Sequence, residues 1–541
     1  MDPKEILKFC IEKGLLIEPE VLNLLSEATG DAESVKLIIE KIRSQTQKRI
    51  ITRSLFEQNK EQVTEFFLTL PKENQKNLEK LKIKLGLQIE ISKEVSLFEQ
   101  KPLNPQAAHI KQQDINQTSP REDQEESKSE IEEKVKVFTK PVLLRKKIDV
   151  EDFAKNLRNR FQETRNILQE HSELDNLVSI NKLSGGKKIS IIGMVFEKRT
   201  TKNRNIILSV EDLTGKTKIL INQNKPELYK KAEEIALDSV LGFSGFGDRE
   251  IVFANNIVFP DSVILERKRA FIEEYALFIS DLQYGGKLFL KDSFDKFIVY
   301  LSENGPKTDE VKKIKYLFIV GDLVAGVGVY PGQKKDLEIE DIEEQYKQLA
   351  ETLKRVRKDI MIIISPGNHD GVRLMEPQPP LDEKYSWGLY SLPNVIMTGN
   401  PAYVNIGAAK NFPGFDILTY HGFSYPYYAN IVPSLLETGV NGPEKIMNYL
   451  LKNRHLAPTF SSTQSFPSEK DELVIKKVPD IFVSGHLHKF AISSYNNVLT
   501  ISNSTWELET ENQKKRGNKP DFCKVPMFNL KTGGIKVLDF E

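Results

Sequence analysis

The chain has 541 residues, equal numbers of basic and acidic side chains at 77 each, 39% hydrophobic residues and two cysteines. That length is too great for one core and calls for roughly two to four domains. Cys10 and Cys523 lie too far apart in sequence for a disulfide framework or a cysteine-rich zinc site, and no apolar run approaches the ~20 residues that cross a bilayer. The start, "MDPKEILKFC", lacks the apolar core of a signal peptide, so the expectation is a cytoplasmic protein in a reducing compartment, with no membrane. A zero net charge does not exclude a local basic face.

Residues 1–97 read as a helical N-terminal module. "PKEILKFCIEKGLL", "PEVLNLLSEA" and "DAESVKLIIEKIRS" place apolar residues three and four apart, with Asp31 as a candidate N-cap. Residues 98–140 are rich in Gln, Glu, Ser and Lys and nearly empty of aromatics. They bury too little apolar surface to offset ordering, so a flexible charged linker is expected there, with His109 solvated inside it. Residues 141–185 form a connecting helical segment around "VEDFAKNLRNRFQETRNILQEH".

Between residues 186 and 262 the pattern changes to strands. "KISIIGMVFEKRTTKNRNIILSVEDLTGKTKILIN" gives three strands, "PELYKKAEEIA" a helix, and "DSVLGFSGFGDREIVFANNIVF" two more strands. That order predicts an OB-fold β-barrel. Its first connection gathers Lys198, Arg199, Lys202 and Arg204 beside Phe196, a DNA-binding candidate of cations facing single-strand phosphates. A solvated hairpin tip on a docking barrel reads equally well from the same residues.

Residues 263–541 carry the chemistry. "YALFISDLQYGG" is an apolar strand ending at Asp281 and Gln283, "KYLFIVGDLVAG" ends at Asp322, and "MIIISPGNHD" ends at Asn368, His369 and Asp370. "FDILTYHGFS" ends at His421, and "PDIFVSGHLHKF" at His486 and His488. Five buried strands of an α/β region thus stop at Asp, Asp, Asn-His, His and His-x-His. Strands of one sheet gather such residues along one edge. Mixed oxygen and nitrogen donors without thiolate suit Mn²⁺, Fe or Zn²⁺. A carboxylate shared by two ions would activate a water and clamp a displacement at phosphorus.

These blocks resemble the calcineurin-like metallophosphoesterases, whose pattern runs D-x-H, GD, GNH[DE], H and GHxH. The resemblance implies an α/β metallophosphoesterase, a layered β-sandwich flanked by helices, holding two divalent ions, Mn²⁺ before Fe or Zn²⁺. Asp281, Asp322 and either His486 or His488 would surround one ion. Asp322, Asn368, His421 and the other histidine would surround the second. His369, paired with Asp370, would assist the transition state or protonate the leaving oxygen. The first block here reads Asp281-Leu282-Gln283, so Gln283 stands where the family has histidine and offers a neutral, weaker donor.

A barrel before such a domain, with "GDLVAGVGVYPGQ", "SLPNVIMTGNPAYVNI", "LKNRHLAPTF" and "NSTWELETENQKKRGNKP", is similar to the small subunits of archaeal family-D DNA polymerases from about residue 186 onward. That resemblance implies a 3′–5′ proofreading exonuclease docked on a large catalytic polymerase subunit, acting on primer-template or single-stranded DNA near the nucleoid. A non-catalytic scaffold with a weakened metal site is the alternative that Gln283 keeps open.

Overall fold

The computed structural model describes residues 3–13, 15–17, 21, 50–51, 135–140, 147–185 and 187–541. Two compact units divide the chain: Met1–Thr118 with Asn166–Asp175, and Ser119–Arg165 with Asn176–Glu541. In the first, the helix Pro3–Glu12 buries Ile6 and Cys10, four residues apart on one face. It is followed by strand β1 (Leu16–Ile17), paired in parallel with β2 (Ile50–Ile51), so the module is not purely helical. The segments "PEVLNLLSEA" and "DAESVKLIIEKIRS" lie almost wholly outside the described residues, as do 98–134 of the expected linker and His109.

The linker reading needs one correction. Val135–Val137, at its end, forms strand β3, whose short apolar-polar-apolar run "VKV" is enough to complete a sheet edge far away in sequence. The helix Val150–Gln169 follows as expected.

A closed five-stranded barrel comes next: β4 (Lys188–Thr200), β5 (Ile206–Asp212), β6 (Gly215–Ile221), β7 (Val240–Gly247) and β8 (Ile251–Val258), in the order β4-β5-β6-β8-β7. The helix Pro226–Glu233 lies between the third and fourth strands. Inward residues such as Val195, Leu208, Ile219, Phe243 and Val252 fill the barrel. Its rim is fixed to the C-terminal region by polar contacts. Tyr449 donates to the Glu234 carbonyl at 3.0 Å, Thr459 to the Leu237 carbonyl at 3.0 Å, and the Phe460 amide to Asp238 at 3.0 Å.

The C-terminal region is two six-stranded sheets face to face. Its strands are β9 (Tyr275–Ile279), β10 (Ile314–Val320), β11 (Met361–Ser365), β12 (Val395–Met397), β13 (Ala402–Ile406) and β14 (Phe415–Thr419). They continue with β15 (Ile481–Ser484), β16 (Ala491–Tyr495), β17 (Val498–Ser502), β18 (Lys524–Asn529) and β19 (Ile535–Asp539). One sheet runs β12-β11-β10-β9-β18-β19, the other β16-β17-β15-β14-β13-β3. Alternation decides the layers. Ala276 and Phe278 of β9 face the core between the sheets, while Leu277 and Ile279 face the helices Lys291–Leu301 and Ile342–Leu353 outside. Such strands must be apolar on both faces, which is why they read as continuous runs. In β9 and β11 the non-apolar residues stand at the ends.

A buried ion pair ties the helix Val150–Gln169 to this region. Arg160 Nε meets Asp471 Oδ2 at 2.7 Å, its Nη1 donates to the Pro458 carbonyl at 2.5 Å, and His455 Nε2 lies 3.1 Å from the same carboxylate oxygen. Both Arg160 and Asp471 are almost completely buried. Removing one partner strands the other charge in apolar surroundings. Asp471→Asn is therefore expected to destabilise the protein by about 3–5 kcal/mol, whereas Arg160→Met with Asp471→Leu loses far less. Urea unfolding of the three proteins checks it, and equal losses for the single and double changes would contradict it.

Candidate metal centre

The parallel strands β9, β10 and β11 of one sheet, and β14 and β15 of the other, end at one rim. Backbone hydrogen bonds lace those ends together: Asp281 N to Gly321 O at 3.0 Å, Gly321 N to Ser365 O at 2.9 Å, and Gly485 N to His421 O at 3.0 Å. Asp281, Asp322 and His421 come together there, each offering a ligand atom within 4.8 Å of the others, and all three are buried.

The chain distorts itself to do this. Asp281, Gln283, Asp322, His486 and His488 all have positive φ, between 50° and 70°. Left-handed backbone at non-glycine residues costs on the order of 1–3 kcal/mol each and survives only where the surroundings over-determine it. Glycines supply the remaining space. A Cβ at Gly367 would fall 2.2 Å from Asp322 Oδ1, and one at Gly321 2.3 Å from His421 Nδ1.

The donor atoms point at one another. His421 Nδ1 lies 3.1 Å from the Val320 carbonyl, which fixes a proton on that nitrogen. Its Nε2 then faces Asn368 Oδ1 at 3.1 Å and Asp322 Oδ1 at 3.3 Å. Three lone pairs converging at that distance repel unless a proton or a cation sits among them. Burial alone would lower the His421 pKa, but Asp322, with Asp281 beyond it, raises it to about 10. Burial works against Asp322 ionising, yet His421 and His369 hold its carboxyl below the usual range. A second convergence lies beside the first, with His488 Nε2 3.4 Å from Asp281 Oδ1. The His486 ring stands 5.1 Å from that of His421, centroid to centroid, and burial followed by the His421 charge lowers its pKa to about 3. The His488 ring thus lies against Asp281 and the His486 ring beside that of His421. The oxygen and imidazole donors fit a hard or borderline divalent cation.

Gln283 enters the site with its Nε2 donating to Asp322 Oδ2 at 3.0 Å. One expected role changes. Asp370 does not pair with the His369 ring. Its carboxylate accepts from Gly367 N at 2.8 Å, Leu323 N at 3.2 Å and Tyr346 OH at 3.2 Å, a buttress behind the loop. Burial and the nearby Asp322 charge push its pKa up to about 7. His369 Nδ1 instead meets the Ala325 carbonyl at 3.0 Å, so its Nε2 turns towards the site, 3.9 Å from Asp322 Oδ2.

The barrel cations also divide. Lys198 Nζ turns inward, 2.6 Å from the Glu233 carbonyl and 3.1 Å from that of Ile235, because the last carbonyls of the helix Pro226–Glu233 lack intrahelical donors. Arg199, Lys202 and Arg204 remain exposed on the β4–β5 hairpin. One face of Phe196 is covered by Lys216, 4.6 Å from the ring centroid.

Several site residues escaped sequence reasoning. Gln513 Nε2 lies 2.9 Å from His488 Nδ1, brought there by a helix that Thr510 and Gln513 cap reciprocally. Glu507 sits in reach of His488, His369, Asp322 and Asp281, and burial raises its pKa. Asn400 Oδ1 accepts from His421 N at 2.9 Å, while its Nδ2 donates to Gln378 Oε1 at 2.7 Å; Gln378 Nε2 in turn donates to Gly367 O at 3.2 Å. This bridge fixes the His421 strand to the Asn368 loop. Behind it Glu376 accepts from Tyr420 OH at 2.9 Å. The only available hint was "TGNP", which looks like an ordinary turn.

Glu376 makes a pH prediction. Burial outweighs the Tyr420 and Asn400 hydrogen bonds and the His421 charge, raising its pKa from 4.5 to about 7. A carboxyl whose folded value lies above its unfolded one contributes stability that is complete below about pH 4.5 and is lost as pH rises to 7. Glu376→Gln should therefore flatten the stability profile in that window, by a difference on the order of 3 kcal/mol. Thermal unfolding of both proteins between those pH limits measures it, and parallel profiles would refute it.

Residues 276–492 match the family of B subunits of DNA polymerases alpha and epsilon. The DNA polymerase II small subunit of Pyrococcus furiosus is 38% identical over 405 residues, covering 73% of this chain and 64% of that one. The protein of the same name from Methanothermobacter thermautotrophicus is 35% identical over 400 residues, covering 73% of this chain and 80% of its own length. The chain thus spans less than two thirds of the Pyrococcus relative. A solved archaeal phosphodiesterase aligns over 49% of this chain and 98% of its own at 12% identity, with a TM-score of 0.24.

Proposed function

The chain belongs to the family of DNA polymerase II small subunits of archaeal family D, and from that premise we propose that it is a metal-dependent 3′–5′ exonuclease. It would remove mispaired primer ends for a large catalytic polymerase subunit. The observation that carries this reading is the convergence of His421 Nε2, Asn368 Oδ1 and Asp322 Oδ1 beside the Asp281–His488 pair, a buried donor set that a proton satisfies in part and divalent cations would satisfy in full. Two divalent ions, Mn²⁺ before Fe or Zn²⁺, are proposed. Asp281 and His488 would hold one, Asn368, His421 and His486 the other, with Asp322 between them. When bound, such a pair supplies a nucleophile at neutral pH and stabilises charge on the phosphorus oxygens.

The chain's own groups do the rest. The Ala325 carbonyl orients His369 so that Nε2 can hold a proton at the leaving oxygen. Asp370 and Tyr346 hold the loop that carries His369 and Asn368. The barrel, with three strands, a helix and two strands in a closed order, supports the OB-fold reading. Its exposed Arg199, Lys202 and Arg204 are the proposed contacts to single-stranded DNA.

One observation favours a second reading, a scaffold with a weakened centre: Gln283 occupies the histidine position and donates to Asp322. Gln283→His is expected to raise Mn²⁺ affinity about tenfold. Asp322→Ala should lose the metal. His369→Ala should keep it while cleavage falls roughly 10²- to 10⁴-fold. Mn²⁺ titration calorimetry with a mismatched-primer nuclease assay, alone and with the large subunit, checks all three. If only Gln283→His degrades DNA, the scaffold reading holds. If neither protein does at saturating Mn²⁺, the nuclease reading ends.

A further inference from the structure

Two features at the rim of the centre are left over once the metal ligands are assigned. The first is the loop after Asp322, "AGVGVYPGQKKD". It is built rigidly. Gln333 donates through Nε2 to the Ala325 carbonyl at 2.8 Å and accepts from Val329 N at 2.9 Å, and the Tyr330 hydroxyl donates to Asp336 at 3.1 Å. Gly326 is pressed against His369, where a Cβ would fall 2.1 Å from the His369 carbonyl oxygen. Yet on this fixed loop Tyr330 keeps 43% of its surface in water and Val327 48%. The ring is thus anchored through its hydroxyl and partly exposed, on the loop whose Ala325 carbonyl meets His369 Nδ1.

The second feature is the helix Glu511–Arg516. Its Gln513 touches His488 at 2.9 Å, and the next three residues are Lys514, Lys515 and Arg516. Lys514 pairs with Glu511 at 3.0 Å, whereas among the described residues neither Lys515 nor Arg516 has an ion-pair partner, and both are exposed. A neutral amide thus buttresses His488, and the two exposed cations follow it on the same short helix.

We propose that these two features form the track for the end of a single polynucleotide strand, Tyr330 stacking on the terminal base and Lys515 with Arg516 holding the phosphates behind it. An anchored aromatic stacks on any base, so the track is sequence-tolerant, as a site for single strands requires. This deepens the exonuclease reading and rests on it for the identity of the ligand.

Binding, measured without turnover, tests the track. The probe is a single-stranded oligonucleotide with a phosphorothioate at its last linkage, ending in 2-aminopurine or in an abasic sugar. The unmodified protein should quench the 2-aminopurine and bind that probe more tightly than the abasic one. Tyr330→Ala should abolish quenching and weaken binding roughly 10- to 100-fold for the base-ended probe only, and Tyr330→Phe should retain the quench. Lys515→Ala with Arg516→Ala should weaken both probes alike and reduce the salt slope by about 1.4. Mn²⁺ affinity, unchanged in every variant, shows that the centre is intact. Equal losses on both probes for Tyr330→Ala, or an unchanged salt slope for the double variant, overturn the track. Cleavage plays no part in these readings. An inactive enzyme that still quenches the probe would sink the nuclease reading and leave the track standing.

Discussion

Two carboxylates, Asp281 and Asp322, are held almost without solvent at the ends of strands that are apolar on both faces. Burying an unpaired carboxylate costs several kcal/mol, so the surroundings must supply positive charge and directed donors. Much else in the C-terminal region follows from that demand. The amides of His369 and His486 donate to the carboxylates, and three histidine rings are drawn to within ion-pair distance of them. Glycines replace side chains where a Cβ would collide with a ligand. The backbone accepts left-handed conformations that it would otherwise avoid. Two sheets rather than one are needed because the acidic ends come from one and the histidines after β14 and β15 from the other.

Behind the groups that face the centre stands a layer of neutral or neutralised polar residues. Asn400 and Gln378 are amides, and burial raises the pKa values of both Glu376 and Asp370 to about 7. Supporting groups without full charge can stiffen the ligands without competing for the cation. Gln283 resembles these supporting amides in its chemistry, although it stands directly beside the carboxylates. A neutral donor on Asp322 satisfies one carboxylate oxygen and so lowers the demand for a cation there.

What was legible in the sequence was what depends on local pattern. Apolar runs broken by Asp281, Asp322, Asn368-His369, His421 and His486-x-His488 marked both the strands and the ends that meet at one rim, because a strand buried on two faces leaves polar residues nowhere else to go. What was illegible depends on partners distant in sequence. Lys198 looks like a surface cation until the carbonyls of Glu233 and Ile235 are seen to claim it. Asp370 looks like the partner of its neighbour His369, yet its oxygens face the amides of Gly367 and Leu323. Gln513 carries no motif and reaches His488 only because a capped helix returns there.

Strand β3 shows the same limit with a practical edge. Composition places the start of the folded region after residue 140, but Val135–Val137 pair antiparallel with Val404–Ile406 of β13 at the border of the second sheet. Cutting the chain at that compositional boundary would leave β13 with a row of bare amides and carbonyls along its outer edge. Such an edge is a template for pairing with another molecule. A fragment trimmed there would keep Asp281, Asp322 and the histidines around them and still be prone to stick to copies of itself, whereas one begun a few residues before Val135 would carry its own cover.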